Sequence, residues 1–235
     1  MHGLLHTLQT VGIFLAFLAA RFAVLLIVLA ALTVVFLAGL AVVRLAERVR
    51  RRVLGLVRVD GLMWRPGLYY APGHAWLQWR GADQLRVGLD DLAQHVLAKV
   101  TEVLLPETGR TLRVGEVAAV MRCGKRRAAI PSPVEGRVVS VNRRLHDDPA
   151  KVHNGPYTAG WLFAVEPADA SYTRLPYGPE SRGWFSGEAV KLSQFLEQQL
   201  GMAAADGGEL VAPGPALLTE NQWAEMTARF LQSPK

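Results

Sequence analysis

The stretch EVAAVMRCGKRRAAIPSPVEGRVVSVN, residues 116–142, decides the fold of this chain. It contains two runs of β-type composition, residues 116–121 and 128–131, on either side of six residues that include four cations. Two such runs around a tight turn predict an antiparallel hairpin. Gly124 supplies the unusual backbone dihedral that a tight hairpin turn requires. We therefore expect residues 122–127 to form a turn whose tip exposes Lys125.

The sequence around this hairpin, from Leu56 onward, alternates short β-type runs with glycine and proline turns. Many short strands with such punctuation predict a small β-barrel or sandwich. Two amphipathic segments, residues 90–100 and 186–200, interrupt the strands and predict helices, with Asp90 and Ser186 as their N-caps. The predicted fold class is therefore mostly β with flanking helices (α+β).

The first fifth of the chain holds most of its excess apolar residues. Residues 22–43 carry no charge and one polar side chain, Thr33. About 20 such residues cross the hydrocarbon core of a bilayer, whereas a buried helix of this length would keep a polar face. The pattern predicts one transmembrane helix over residues 22–43, with residues 1–21 as an extracytoplasmic or interfacial segment. A cleaved signal peptide is not favoured, because the apolar run is too long and its start is not basic.

Arginines follow this apolar run, and no lysine or arginine precedes Val11. The arginines concerned are Arg44, Arg48, Arg50, Arg51, Arg52 and Arg58. The positive-inside rule assigns the arginine-rich side of a span to the cytoplasm. We therefore predict a single-pass protein of the cytoplasmic (inner) membrane, with its N-terminus outside. Residues 44–60 form an arginine-rich juxtamembrane segment, and the following domain lies in the cytoplasm.

Composition excludes several other classes of protein. The single cysteine, Cys123, rules out a disulfide framework within the chain and does not favour a thiolate metal site. The histidines lack metal-ligand spacing, and neither a phosphate-binding loop nor a catalytic grouping stands out. The net charge of +6 comes largely from the arginines beside the apolar run and in the hairpin. No element interleaves basic and aromatic residues, so we expect no nucleic-acid partner.

The C-terminal part of the chain, residues 201–235, has a different composition. Residues 202–215 are rich in Ala, Gly and Pro, which predicts a linker. Residues 219–231 then form a short amphipathic helix, with Thr219 and Gln222 in capping-box positions. We expect this helix to pack back on the domain; contact with the membrane or with a partner protein is the alternative.

A series of motifs between about Tyr69 and Leu200 resembles, in order, the H protein of the glycine cleavage system. The motifs are Tyr70 with His74 and Trp76; Val87-Gly88-Leu89-Asp90-Asp91-Leu92-Ala93-Gln94; Leu105-Pro106 with Gly109; Gly115-Glu116; Ser132-Pro133-Val134 with Gly136, Val138, Val139, Val141 and Asn142; and Pro156-Tyr157 with Gly160-Trp161-Leu162.

This resemblance implies a barrel-sandwich hybrid fold and a carrier function without catalysis. The family carries lipoate on a lysine eight residues before the proline of Ser-Pro-Val, and Lys125 has that spacing to Pro133. The implied partners are a lipoate ligase or lipoyl transferase and the P, T and L proteins of glycine cleavage. A biotinyl domain shares the fold and the spacing but flanks its lysine with methionines, whereas Gly124 and Arg126 flank Lys125 here.

The turn departs from the family in its charge. An acidic residue usually lies three positions before the lysine, and small residues follow it; here those positions are Arg122, Arg126 and Arg127. We therefore expect a strongly cationic tip, and we predict that these three arginines dock a partner. The membrane anchor is a second departure and favours a divergent, membrane-associated set of enzymes as an alternative to the P, T and L proteins.

Two functional hypotheses follow. The first is a membrane-tethered lipoyl carrier that shuttles an aminomethyl or acyl group, or reducing equivalents, on Lys125 between cytoplasmic enzymes. The second is an adaptor without lipoate whose basic tip binds an acidic partner. In both, the domain order is an N-terminal segment (1–21), a transmembrane helix (22–43), a juxtamembrane segment (44–60), an H protein-like domain (61–200), and a linker with a C-terminal helix (201–235).

Overall fold

The structure, a computed structural model, describes residues 2–81, 83–200 and 214–232. The chain divides into two compact units, Met1–Leu54 and Gly55–Lys235. The second unit begins before residue 61, where we predicted the start of the carrier domain. The reason is that a hairpin of residues 57–64, which spans this boundary, buries Val59, Leu62 and Trp64 in the core of the unit.

The first unit is one helix, α1 (His2–Leu54). The predicted span lies within it, but the helix continues in both directions, because arginine is a good helix former and does not interrupt it at Arg21. The segment Arg21–Ala46 has a mean hydropathy of 3.0 and is long and apolar enough to cross a membrane. The one polar side chain of residues 22–43, Thr33, donates a hydrogen bond from Oγ1 to the Leu29 carbonyl at 2.8 Å, so its hydroxyl is satisfied within the helix.

Short strands build the second unit. They are β1 (Val57–Val59), β2 (Leu62–Trp64), β3 (Tyr69–Ala71), β4 (Ala75–Trp79), β5 (Leu85–Leu89), β6 (Glu102–Leu104), β7 (Thr111–Leu112), β8 (Val117–Cys123), β9 (Arg126–Pro131), β10 (Gly136–Val141) and β11 (Phe163–Pro167). Among the described residues, β3-β4-β5-β11-β10-β7 form one sheet, β6-β8-β9 a second, and β1-β2 a hairpin. The pairings are antiparallel throughout, which suits the short connections between consecutive strands.

Helices flank these sheets. They are α2 (Asp91–Val96), α3 (Arg144–Asp147), α4 (Lys151–Asn154), α5 (Gly178–Leu200), α6 (Gly214–Leu217) and α7 (Glu220–Leu231), with a 3₁₀ turn at Ser171–Arg174. The prediction of a mostly β domain with flanking helices is confirmed. A shared core of side chains from both sheets and from α2, α5 and α7 holds the layers together.

Two helix boundaries differ from the predicted ones. Asp90 caps α2 as expected, since its Oδ1 accepts the Ala93 amide at 2.9 Å, but the helix ends at Val96 because Leu97 turns to extended backbone. Helix α5 begins at Gly178, eight residues before the predicted cap Ser186. Pro179 suits the first turn of a helix, and burial of Phe185 outweighs the low helix propensity of the glycines before residue 190.

The C-terminal helix packs back on the domain, as predicted. Thr219 and Gln222 form the expected capping box of α7, with the Gln222 amide donating to Thr219 Oγ1 at 3.4 Å. Its apolar side is buried in the core, through Trp223, Met226, Phe230 and Leu231. Most of the predicted linker, residues 202–213, lies outside the described residues, and the last part of it forms α6.

Candidate functional site

The hairpin of β8 and β9 carries the candidate lysine on a two-residue loop. Cys123 pairs with Arg126, which leaves Gly124 and Lys125 as the loop. Gly124 has φ +65°, and glycine at the first loop position is the preference of a type II′ hairpin turn. The loop is thus tighter than the predicted six residues. The strands extend to the loop because Cys123 points inward and is buried, which continues the alternation of β8.

Lys125 is exposed at the end of this loop. Within the part of the chain that the structure describes, no carboxylate or carbonyl oxygen lies within bonding distance of its amino group. A primary amine that is free at a turn tip can enter the active site of a modifying enzyme without unfolding of the domain. The residues present therefore suit covalent attachment of an acyl group to Lys125 Nζ.

A neighbouring segment buttresses the hairpin next to the loop. Thr101 contacts the end of β8 and the loop: its amide donates to the Arg122 carbonyl at 2.7 Å, and its Oγ1 accepts the Gly124 amide at 3.3 Å. The Cys123 thiol donates to the Ala98 carbonyl at 3.4 Å. Burial raises the pKa of that thiol to about 11, so the protonated form predominates at neutral pH and Cys123 is a packing residue. Sequence reasoning missed Thr101, since nothing in its local pattern distinguishes it.

Acidic side chains from elsewhere in the chain neutralise part of the cationic tip. Arg122 pairs with Glu102 on β6 at 2.7 Å, and Arg126 pairs with Glu220 of α7 at 2.9 Å. The expectation of a strongly cationic tip was therefore wrong for two of its three arginines, whose charges are compensated within the chain. Arg127 remains exposed beside Lys125. Docking of a partner by Arg122, Arg126 and Arg127 stays a prediction.

His74 lies in a buried charged group behind the sheet. Its Nδ1 is 2.9 Å from Asp90 Oδ2, and its Nε2 is 3.8 Å from Glu188 Oε2. Burial acts to lower the pKa of the imidazole, but the two carboxylates outweigh it and raise that pKa to about 9. The facing imidazolium, followed by Lys191, lowers the pKa of Glu188 to about 2. Asp90 also caps α2, so this group ties α2, α5 and the β3–β4 turn together.

This charged group predicts a specific dependence of stability on pH. The stabilisation from His74 is complete below its ordinary pKa of 6.5 and is lost as the pH rises toward about 9. The stabilisation from Glu188 is complete above its ordinary pKa of 4.5 and is lost as the pH falls toward about 2. These two groups should therefore give the melting temperature a maximum between about pH 4.5 and 6.5, which thermal unfolding across this pH range measures.

The variant His74→Asn is the matching control. Asn tolerates the positive φ of 58° at this position but does not titrate. We expect the variant to lose the decrease in melting temperature between pH 6.5 and 9 that the wild type shows. An identical alkaline profile in both proteins would contradict a buried imidazolium.

A cavity of about 660 Å³ opens beside this group. Helix α5 contributes Trp184, Glu188 and Lys191 to its wall, and α7 contributes Arg229 and Phe230. The cavity thus combines aromatic surface with charges of both signs. Because α7 forms one side, the C-terminal segment is an integral part of this surface of the domain.

An exposed lysine on a braced hairpin tip, carried by a small sheet-rich domain, defines the class of carrier domains that present one side chain to other proteins. The described residues contain no group of three or more His, Cys, Asp or Glu side chains suited to a metal ion. Within this class, the exposed position of Lys125 on the hairpin loop is the feature that suits attachment of a group.

Comparison with known proteins agrees with this class. The family model described as glycine cleavage H-protein matches residues 68–175. The glycine cleavage system H protein of Thermoanaerobacter sp. (strain X514) is 39% identical over 105 residues, which are 45% of this chain and 82% of that protein. That of Mycobacterium avium (strain 104) is 40% identical over 106 residues, which are 45% of this chain and 80% of that protein.

The chain belongs to the glycine cleavage H-protein family. A crystal structure of a glycine cleavage system H protein from Mycobacterium marinum is 30% identical in sequence to this chain. The superposition includes 53% of this chain and 99% of the crystallised chain, with a TM-score of 0.46. H proteins are carriers that hold lipoate covalently on a lysine, and they are not enzymes. The predicted resemblance and the prediction of a carrier rather than an enzyme are confirmed by the sequence comparisons.

Proposed function

We propose that this protein is a membrane-tethered lipoyl carrier and that Lys125 holds lipoate in amide linkage. The observation that carries the proposal is the position of Lys125, exposed on a two-residue loop inside the region that matches the H-protein family. The loop offers the amine to a lipoate ligase or lipoyl transferase without a competing partner within the described residues.

In this proposal the chain presents the lipoyl group to other enzymes, and the lipoyl group supplies the reactivity. Lipoate on a lysine supplies a disulfide that accepts an aminomethyl or acyl group, or two electrons. The residues of the hairpin hold its attachment point on the two-residue loop between β8 and β9, and the space around Gly124 in this loop is open. Such a tethered group reaches successive active sites at a high effective concentration. We infer that those sites belong to the P, T and L proteins or to a divergent membrane-associated set.

The membrane tether rests on α1. Its segment Arg21–Ala46 has the length and hydropathy of a span, and by the positive-inside rule the arginines that follow residue 43 support a cytoplasmic position of the carrier domain. Membrane fractions should therefore retain the protein after carbonate extraction, with its N-terminus intact. Sequencing a mature protein that begins after residue 43 would instead identify the apolar part of α1 as a cleaved signal and remove the tether from this proposal.

Mass spectrometry of the native protein tests the proposed attachment. The full-length protein is produced in cells that contain a lipoate ligase, purified in detergent, and measured intact and after digestion. We expect one lipoyl adduct, located on the peptide that contains Lys125. An unmodified Lys125 in cells whose other lipoyl proteins are loaded would overturn the proposal.

The alternative, an adaptor without lipoate, relies on a basic docking knob of Arg122, Lys125, Arg126 and Arg127. Internal ion pairs with Glu102 and Glu220 engage two of these cations. The surface that remains for an acidic partner is smaller than the sequence suggested, so the geometry favours the carrier. The variant Lys125→Arg separates the two hypotheses and is treated below.

A further inference from the structure

Arg126, the residue after the candidate lysine, joins the hairpin to the C-terminal segment. Its Nε pairs with Glu220 at 2.9 Å, and its two terminal nitrogens donate to the carbonyls of Pro215 at 3.0 Å and Leu218 at 2.6 Å. The guanidinium also lies 5.4 Å from the ring centre of Trp223. Its donors are thus divided among three acceptors around the start of α7, and its side chain is only 15% exposed.

The far end of α7 is fitted to the domain as closely as its start. The carbonyl of Leu231 lies against Gly73, where an added Cβ would approach it to 2.9 Å and would meet Pro131 Cγ at 3.4 Å. Gly73 has φ +87°, which also favours glycine. Since Arg126 and Pro131 are the two ends of β9, α7 runs alongside the whole strand that leads away from Lys125.

Helix α7 lies outside residues 68–175, which match the H-protein family. The matched region therefore ends before α7, and α7 contacts the strand that leads away from the functional loop. A two-stranded hairpin gains its stability from packing against other elements. The first sheet neighbour, β6, packs on the β8 side of this hairpin, and α7 supplies a support for the β9 side.

We propose that α7 is a brace for the carrier hairpin and that Arg126 is a positioning residue, which fixes the direction in which Lys125 presents its group to partner enzymes. This inference rests on the proposed lipoyl attachment for its functional part. Its structural part, the immobilisation of the hairpin by Arg126, does not depend on lipoate. A carrier with an ordered attachment point loses less conformational freedom on docking to an enzyme, so the brace favours binding and leaves the chemical step unchanged.

Hydrogen exchange measures the structural part. The full-length protein and the variants Arg126→Ala, Arg126→Lys and Glu220→Gln are compared in detergent, with Arg137→Ala as the control. Arg137 also pairs with a glutamate, Glu166, at 2.6 Å, but on the strands β10 and β11 away from the loop. We expect amide exchange in residues 122–127 to accelerate by about tenfold or more in Arg126→Ala, and less in Arg126→Lys and Glu220→Gln. Unchanged exchange in Arg126→Ala would overturn the brace.

Steady-state kinetics measure the functional part. A dihydrolipoyl dehydrogenase oxidises the reduced, dithiol form of the loaded carrier to its disulfide while NAD⁺ is reduced to NADH. With the carrier as the varied substrate, we expect Arg126→Ala to raise KM about three- to tenfold with kcat unchanged, where tenfold corresponds to about 1.4 kcal/mol. Arg126→Lys should recover part of this loss, because it restores the charge but not the fork of donors. Faster exchange with an unchanged or lower KM would overturn the positioning role.

The outcomes separate this inference from the proposed function. A wild-type protein that is never lipoylated refutes the carrier proposal, and hydrogen exchange still decides whether Arg126 braces the hairpin. A fully lipoylated Arg126→Ala variant with wild-type exchange and kinetics leaves the carrier proposal intact and refutes the inference.

Discussion

Replacement of Lys125 by arginine is expected to abolish lipoyl attachment and all carrier activity while leaving the fold intact. Amide formation requires the primary amine of lysine, and the guanidinium of arginine does not replace it as a nucleophile. The side chain is exposed at the end of a two-residue loop, so the substitution removes no packing. Intact mass measures the loss of the lipoyl group, and oxidation of the reduced carrier by a dihydrolipoyl dehydrogenase measures the loss of activity. Both signals should fall to the background level.

Lys99→Arg is the matched control for this variant. Lys99 is also exposed and lies on the segment that buttresses the hairpin, but not on the loop. We expect the Lys99→Arg variant to be lipoylated on Lys125 and to be as active as the wild type. An adaptor that binds an acidic partner by charge would keep its function in both variants. Retention of function in Lys125→Arg would therefore favour the adaptor and refute the carrier.

Phe230→Ala should lower the free energy of unfolding by about 3–5 kcal/mol. Phe230 is 2% exposed and packs edge-on against Phe195 of α5, with ring centres 6.0 Å apart. Truncation to alanine would leave a cavity between α5 and α7, which the surrounding side chains can refill only in part. Denaturant unfolding of the full-length protein in detergent, followed by tryptophan fluorescence, measures the change.

The control for this substitution is Glu225→Ala on the exposed side of the same helix. Surface substitutions of this kind change stability by about 0.5 kcal/mol or less. A decrease of less than about 1 kcal/mol for Phe230→Ala would contradict the burial of α7 in the core. A large decrease would support the view that the C-terminal helix is a structural part of the carrier domain.

Several features of the site were predictable because their causes are local. Alternating β-type residues around Gly124 specify a hairpin, and the lysine in its loop is exposed. The capping box at Thr219 follows from side chains that bond to the backbone three residues away. The amphipathic pattern of α7 likewise predicted that one side would be buried, which it is.

Other local predictions failed where tertiary packing outweighed propensity. The start of α5 was predicted at Ser186, yet burial of Phe185 keeps the chain helical from Gly178 despite the low helix propensity of Gly183. The loop of the hairpin was predicted to be wider, since the four cations obscured the strand alternation that Cys123 continues inward. In both cases the deciding contact is with a residue far away in sequence.

The sequence by itself determined the apolar N-terminal run, the sheet-rich fold with flanking helices, the family resemblance and the place of Lys125, because periodicity, turn residues and motif spacing encode them locally. Only the tertiary structure decided the electrostatic surroundings of that lysine. Glu102 meets Arg122 through the pairing of β6 with β8, and Glu220 meets Arg126 across 94 residues of chain. Such pairs depend on strand register and helix docking, which arise from the packing of the whole core. A turn that is cationic in sequence is therefore partly neutral in the folded protein, and it is braced by a helix outside the matched family region.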